Sequence, residues 1–111
     1  MKSYMKYCEI YKALERRWQV SPGFRFSDFS GWRNPIQDHA AAYRPLWIVV
    51  EDRATMRRIW LTQMGAKLAI TYMAMDAKGF NQGQSHCIPC SSKRQMAQEL
   101  DSLFTRLDKA A

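Results

Sequence analysis

Two apolar stripes at helical spacing, one near each end of the chain, restrict its fold before anything else is considered. Tyr4, Tyr7, Tyr11, Leu14 and Trp18, with Ile10 beside them, recur at three- and four-residue intervals. Met96, Leu100, Leu103, Phe104 and Leu107 repeat the pattern near the other end. Each stripe covers one side of a helix and must be buried against something. Ser3 is placed to cap the first helix, and Pro22-Gly23 ends anything that reaches it. Ser92 and Gln95 have the spacing of a capping box for the last. Arg16 and Arg17 fall in the final turn of the first helix, where positive charge complements the dipole. A binding role for both stays open.

What the helices pack on must come from the residues between them. Leu46, Trp47, Ile48, Val49 and Val50, bounded by Pro45 and by Glu51-Asp52, read as a buried strand. Met56, Ile59, Trp60 and Met64 share one helical face with Gly65 as the stop, so a central helix is expected, with Glu51 and Asp52 near its start. Residues 66–75 are ambiguous. Leu68, Ile70 and Tyr72 alternate as in a strand, whereas Leu68, Tyr72 and Met75 also satisfy a helix; the turn-like Asp76-Ala77-Lys78-Gly79 favours the strand. Residues 21–45 read as an irregular connector with a short helix near Ile36 to Tyr43, and residues 80–90 as a polar loop. The expected fold is α+β, with two terminal amphipathic helices around a small strand–helix–strand centre. An all-α domain follows if residues 66–75 continue the central helix. At 111 residues, one compact domain over 1–111 is expected.

The surface of such a domain is basic. The formal charge is +7, and it is not a tail: residues 1–50 carry eight Lys/Arg against four Asp/Glu, and residues 51–111 nine against six. An apolar share of 47% disfavours intrinsic disorder. No apolar run reaches the roughly 18–20 residues that span a bilayer, so no membrane partner is expected. Three cysteines, an odd number, fit a reducing compartment, and no apolar signal core follows Met1; a cytoplasmic location is expected. Positive charge interleaved with 5 Phe, 5 Tyr and 4 Trp suits phosphate backbones and base stacking.

Three groups of residues are candidates for a site. In the connector, Phe24, Phe26, Phe29 and Trp32 alternate with Arg25 and Arg33, a mixture that either stacks bases while neutralising phosphates or pins the connector to the core. Arg53, Arg57 and Arg58 would share the solvent side of the central helix, with Lys67 further on. Lys93, Arg94 and His86 would join the same surface. The nucleic-acid-binding set is therefore Arg25, Phe29, Trp32, Arg33, Arg53, Arg57, Arg58 and Lys67. Finally, His86-Cys87-Ile88-Pro89-Cys90 offers two thiols and an imidazole to a zinc ion, although the second ligand pair of a zinc knuckle is missing and only Cys8 and His39 remain. Cys87-Ile88-Pro89-Cys90 ahead of a helix resembles the Cys-Gly-Pro-Cys site of thioredoxin-like proteins, which implies a reactive thiolate. The preceding Asn81-Gln82-Gly83-Gln84-Ser85 departs from that family, which has a buried strand and a Trp there.

No catalytic constellation is present: there is no nucleophile elbow, no phosphate-cradling glycine loop and no clustered carboxylate pair. The expected function is that of a small basic non-enzymatic accessory protein in nucleic-acid metabolism, binding DNA or RNA without a cofactor. The alternative is a modulator or inhibitor of the phage or mobile-element type. Its positive surface would meet an acidic patch or a nucleic-acid channel on a larger nucleic-acid-processing protein complex.

Overall fold

The structure is a computed structural model that describes residues 2–29, 46–65 and 67–110, with the backbone alone at residues 2–8 and at Met64. The elements run α1 (Lys2–Val20), β1 (Phe24–Asp28), β2 (Trp47–Asp52), β3 (Arg57–Met64), β4 (Lys67–Met75), β5 (Asn81–Cys90) and α2 (Lys93–Ala110). The strands form one antiparallel sheet in chain order, β1-β2-β3-β4-β5. The two helices pack on each other and on one face of it. Among the described residues no helix is long and apolar enough to cross a membrane.

The fold is α+β with a helix at each end, but the expected strand–helix–strand centre is wrong, and so is the all-α alternative. Residues 57–64 are a strand. Ile59 and Leu61 are fully buried while Trp60 and Thr62 are not, an alternation that only a strand produces. Met56, Ile59, Trp60 and Met64 met helical spacing because a run this short satisfies both periods. Its β-branched and aromatic content, Ile59, Trp60 and Thr62, is what a pleated surface takes. Gly65 is no helix stop: at φ +62° it begins the two-residue connection that brings Met64 opposite Lys67.

Two further segments differ from the reading of the sequence. The connector begins with β1, in which Phe24 is buried and Phe26 packs against the core. Residues 81–90, expected as a loop, form the edge strand β5. From Asn81 to Cys87 both of its faces are exposed, so no apolar alternation marks it. Residues 67–75 are strand β4, as the turn after them suggested. The short helix placed near Ile36 to Tyr43 lies outside the described residues.

The core is a sandwich of helices on sheet. Ile48 and Val50 of β2, Ile59 and Leu61 of β3, and Leu68 and Ile70 of β4 meet Ile10, Ala13 and Leu14 of α1. On the α2 side they meet Met96, Leu100, Leu103, Phe104 and Leu107, the stripe expected there. Phe24 and Phe104 meet edge to face with ring centroids 5.8 Å apart. Each fully buried aliphatic side chain contributes about 1.5–3 kcal/mol. The cap of α2 also forms as expected: Gln95 N donates to Ser92 Oγ at 3.1 Å. The Gln95 side chain reaches one residue further back than a capping box requires, accepting from Ser91 N and Ser91 Oγ at 2.6 Å each.

The α1 stripe is rotated from its expected position. Trp18 is 63% exposed, and the buried line is Ile10, Ala13, Leu14 and Arg17. Arg17 therefore does more than complement a helix dipole. Its Nε and Nη2 donate to Asp52 Oδ2 at 3.0 and 2.8 Å, and its Nη1 and Nη2 to the two oxygens of Asp108 at 2.6 and 2.7 Å. Its guanidinium carbon lies 4.9 Å from the centre of the Phe104 ring. One cation thus ties α1 to β2 and to α2.

Candidate nucleic-acid interface

Both helices lie on one face of the sheet, and among the described residues no helix packs on the other. Side chains on that second face follow from the register. Arg25, Glu51, Arg58 and Met73 stand side by side across β1 to β4. The next row holds Ser27, Val49, Trp60, Thr71 and Cys87, and the one beyond it Trp47, Thr62, Ala69 and Pro89. Antiparallel pairing is what brings these residues together, because every second position of each strand points the same way.

The arginine end of this face is built around Glu51. Arg25 donates to Glu51 Oε2 through Nε and Nη2 at 3.2 and 3.1 Å, and Arg58 donates to Glu51 Oε1 through Nη2 at 2.9 Å. The hydrogen bond from Arg58, aided by Arg25, holds the Glu51 carboxyl below its ordinary range against the opposing effect of burial. Arg58 Nη1 also donates to Asn81 Oδ1 at 2.6 Å. Arg53, in the β2–β3 turn, reaches the same corner, its Nη1 donating to Ala77 O at 3.3 Å. A Cβ added to Gly79 would lie 3.6 Å from Arg58 Nη2 and 3.9 Å from Arg53 Nη2, so the two guanidiniums flank one glycine.

That glycine sits in a turn with a defined shape. Asp76 Oδ1 accepts from Lys78 N and Phe80 N at 2.9 Å each, and Oδ2 from Gln82 Nε2 at 3.0 Å. These bonds, that from Phe80 first, keep the Asp76 carboxyl below its usual range. The turn displays Phe80, which is 67% exposed, beside the arginine corner.

No protein family matches the chain, and neither a curated protein nor a solved structure shows significant similarity to it.

The residues singled out from the sequence divide accordingly. Arg25 and Arg58 share the helix-free face, and Arg53 borders it. Phe29, just past β1 and 68% exposed, lies at the other end, where its N–H donates to Trp47 O at 2.8 Å. Arg57 does not join them. As the strand neighbour of Arg58 it points to the opposite face, and its Nη1 donates to Thr55 O and Met56 O at 2.9 and 3.2 Å. The helical clustering expected for Arg53, Arg57 and Arg58 is thereby corrected. Lys67 shares the helix-free face, an even six residues along β4 from Met73, but lies about 20 Å from the arginine corner, beyond the Trp47–Thr62–Ala69 row. Lys93 and Arg94, at the start of α2, stand on the helix side of the sheet, and Arg94 Nε donates to Glu9 Oε2 at 3.4 Å. Trp32 and Arg33 lie outside the described residues.

The three candidate zinc ligands do not converge. Residues 86, 87 and 90 belong to one strand, where an odd separation puts Cys87 and Cys90 on opposite faces. Cys90 is buried under the helices, and burial pushes its thiol above the ordinary range, the reverse of a reactive thioredoxin-like thiolate. His86 stacks on Tyr72 with ring centroids 5.1 Å apart, four residues or about 13 Å of strand from Cys90. Among the described residues no group of three or more His, Cys, Asp or Glu is placed to hold a metal ion.

Trp47, Trp60, Glu51 and Phe80 were missed in the sequence as members of one surface. The signal existed in Arg58-Ile59-Trp60-Leu61-Thr62: read with period 2 it puts Arg58 and Trp60 on one side and the aliphatics on the other.

Proposed function

We propose that the protein is a non-enzymatic accessory factor of nucleic-acid metabolism that holds DNA or RNA on the helix-free face of its sheet. One observation carries this reading: Arg25 and Arg58 stand at one end of that face, and Trp60 and Trp47 stand further along it. Two arginines on one glutamate leave the corner positive, and Arg53 beside Gly79 adds to it. The Arg25 side chain is 71% exposed, so its pairing with Glu51 contributes at most about 1 kcal/mol. A phosphate oxygen can take the place of that carboxylate at little cost. The formal charge of +7 draws a polyanion to the surface before any specific contact forms.

The test is binding of a labelled oligonucleotide across a salt series. Affinity should fall steeply with salt, since each neutralised phosphate releases counterions. No binding at low salt, or binding indifferent to salt, overturns the reading. The alternative, docking on a larger nucleic-acid-processing protein, is favoured by Val49 and Met73, apolar residues on the same face. It predicts one stoichiometric protein partner that stays bound after nuclease treatment.

A further inference from the structure

Resting on that function, we infer that the nucleic acid taken is single-stranded, with its bases stacked on Trp47 and Trp60. The two indoles belong to neighbouring central strands. Trp60 is opposite Val49 and Trp47 opposite Thr62, which makes the two rings diagonal neighbours, about 7–8 Å apart at their roots. Trp47 is 49% exposed, Trp60 is half-buried, and the exposed Phe29 adjoins Trp47 through its backbone hydrogen bond. Rings held on paired strands are fixed in orientation, as a stacking platform requires.

Width keeps these rings out of the major groove of a duplex. Five strands at about 4.8 Å spacing span about 19 Å, whereas the major groove of DNA is about 12 Å wide and admits one helix or a two-stranded ribbon. With β1 on one side and β4 and β5 on the other, the sheet is too wide for Trp47 and Trp60 to enter the major groove. A duplex also hides the faces of its bases, while an unpaired base offers a flat face to an indole. The charges suit the same ligand. Arg58 is two residues from Trp60 on the same face of β3, about 7 Å along the strand, and Arg25 lies two strands away in the Arg58 row. A strand laid along β2 and β3 would meet cations at one end and rings at the other.

The experiment compares a labelled 15-nucleotide single strand with the duplex of the same sequence at low salt, following anisotropy of the label and tryptophan emission. The single strand should bind about tenfold or more tightly than the duplex and quench the emission. Trp47→Ala should weaken it about tenfold and remove much of the quench. Trp60→Phe, which keeps a ring, should retain most of the affinity. Trp18→Ala, on α1 and away from this face, should bind as the parent does. Duplex bound as tightly as single strand, or a Trp47→Ala variant with unchanged affinity, overturns the stacking inference and leaves nucleic-acid binding standing. Neither form bound at low salt overturns both. Emission that changes with protein concentration alone assigns the face to a second copy of the chain and overturns the inference as well.

Discussion

Arg17 and Asp52 form an ion pair inside the protein, Nη2 to Oδ2 at 2.8 Å, with side chains 7% and 0% exposed. Ser21 Oγ and the Ala54 N–H donate to the other Asp52 oxygen at 3.1 and 3.2 Å, so both carboxylate oxygens are satisfied. Removing the cation leaves an uncompensated buried charge. Arg17→Met should therefore lower the unfolding free energy by about 3–5 kcal/mol in urea titrations. Asp52→Asn on that background should restore part of the loss, since the carboxylate left without its cation is the source of the penalty. Asp108→Asn should cost far less, because Asp108 is largely open to water.

Acid should destabilise the fold. The hydrogen bond from Arg17 holds the Asp108 carboxyl below its ordinary range, and that from Arg58 does the same for Glu51. The unfolded chain takes up these protons at higher pH than the folded one. The stability they contribute is complete above the usual carboxylate range, near pH 4–5, and is lost as pH falls through the lower folded values. Thermal unfolding from pH 7 to pH 2 should show a plateau and then a fall. In Asp108→Asn the fall should be shallower.

The cap of α2 is open to direct measurement. Ser92→Ala removes the acceptor for Gln95 N and should cost about 1 kcal/mol in the same urea assay. Ser92→Gly should cost only a few tenths.

Thiol reactivity should separate the two cysteines of β5. Cys87 is exposed on the helix-free face, whereas Cys90 is buried with its thiol pushed up by desolvation. A maleimide or disulfide reagent should modify Cys87 in the folded protein and Cys90 only once the chain unfolds. Protection of Cys87 by a bound single strand would place the ligand across the Trp60–Thr71–Cys87 row.

Among the arginines, the salt dependence of oligonucleotide binding should single out those on the helix-free face. Arg25→Gln and Arg58→Gln should each reduce the slope of log affinity against log salt by about one. Arg57→Gln, on the opposite face, should leave it unchanged.

The sequence by itself determined the two terminal helices, the α2 cap, strand β2 and an excess of positive charge, while for residues 66–75 it left strand and helix open and only the turn after them favoured β4. Long periodic segments and fixed cap spacings carry their own structural signal. The tertiary structure decided the rest. Residues 57–64 fit a helix and a strand equally until β2 and β4 paired on either side of them and made Ile59 and Leu61 inward, Arg58 and Trp60 outward. β5 has no pattern to read because, at the edge of the sheet and exposed on both faces to Cys87, no burial imposes one. The partners of Arg17, 35 and 91 residues away, are invisible to any local reading. The candidate interface is likewise a product of register: Arg25, Glu51, Arg58, Trp47 and Trp60 become neighbours only because antiparallel strands place distant residues side by side.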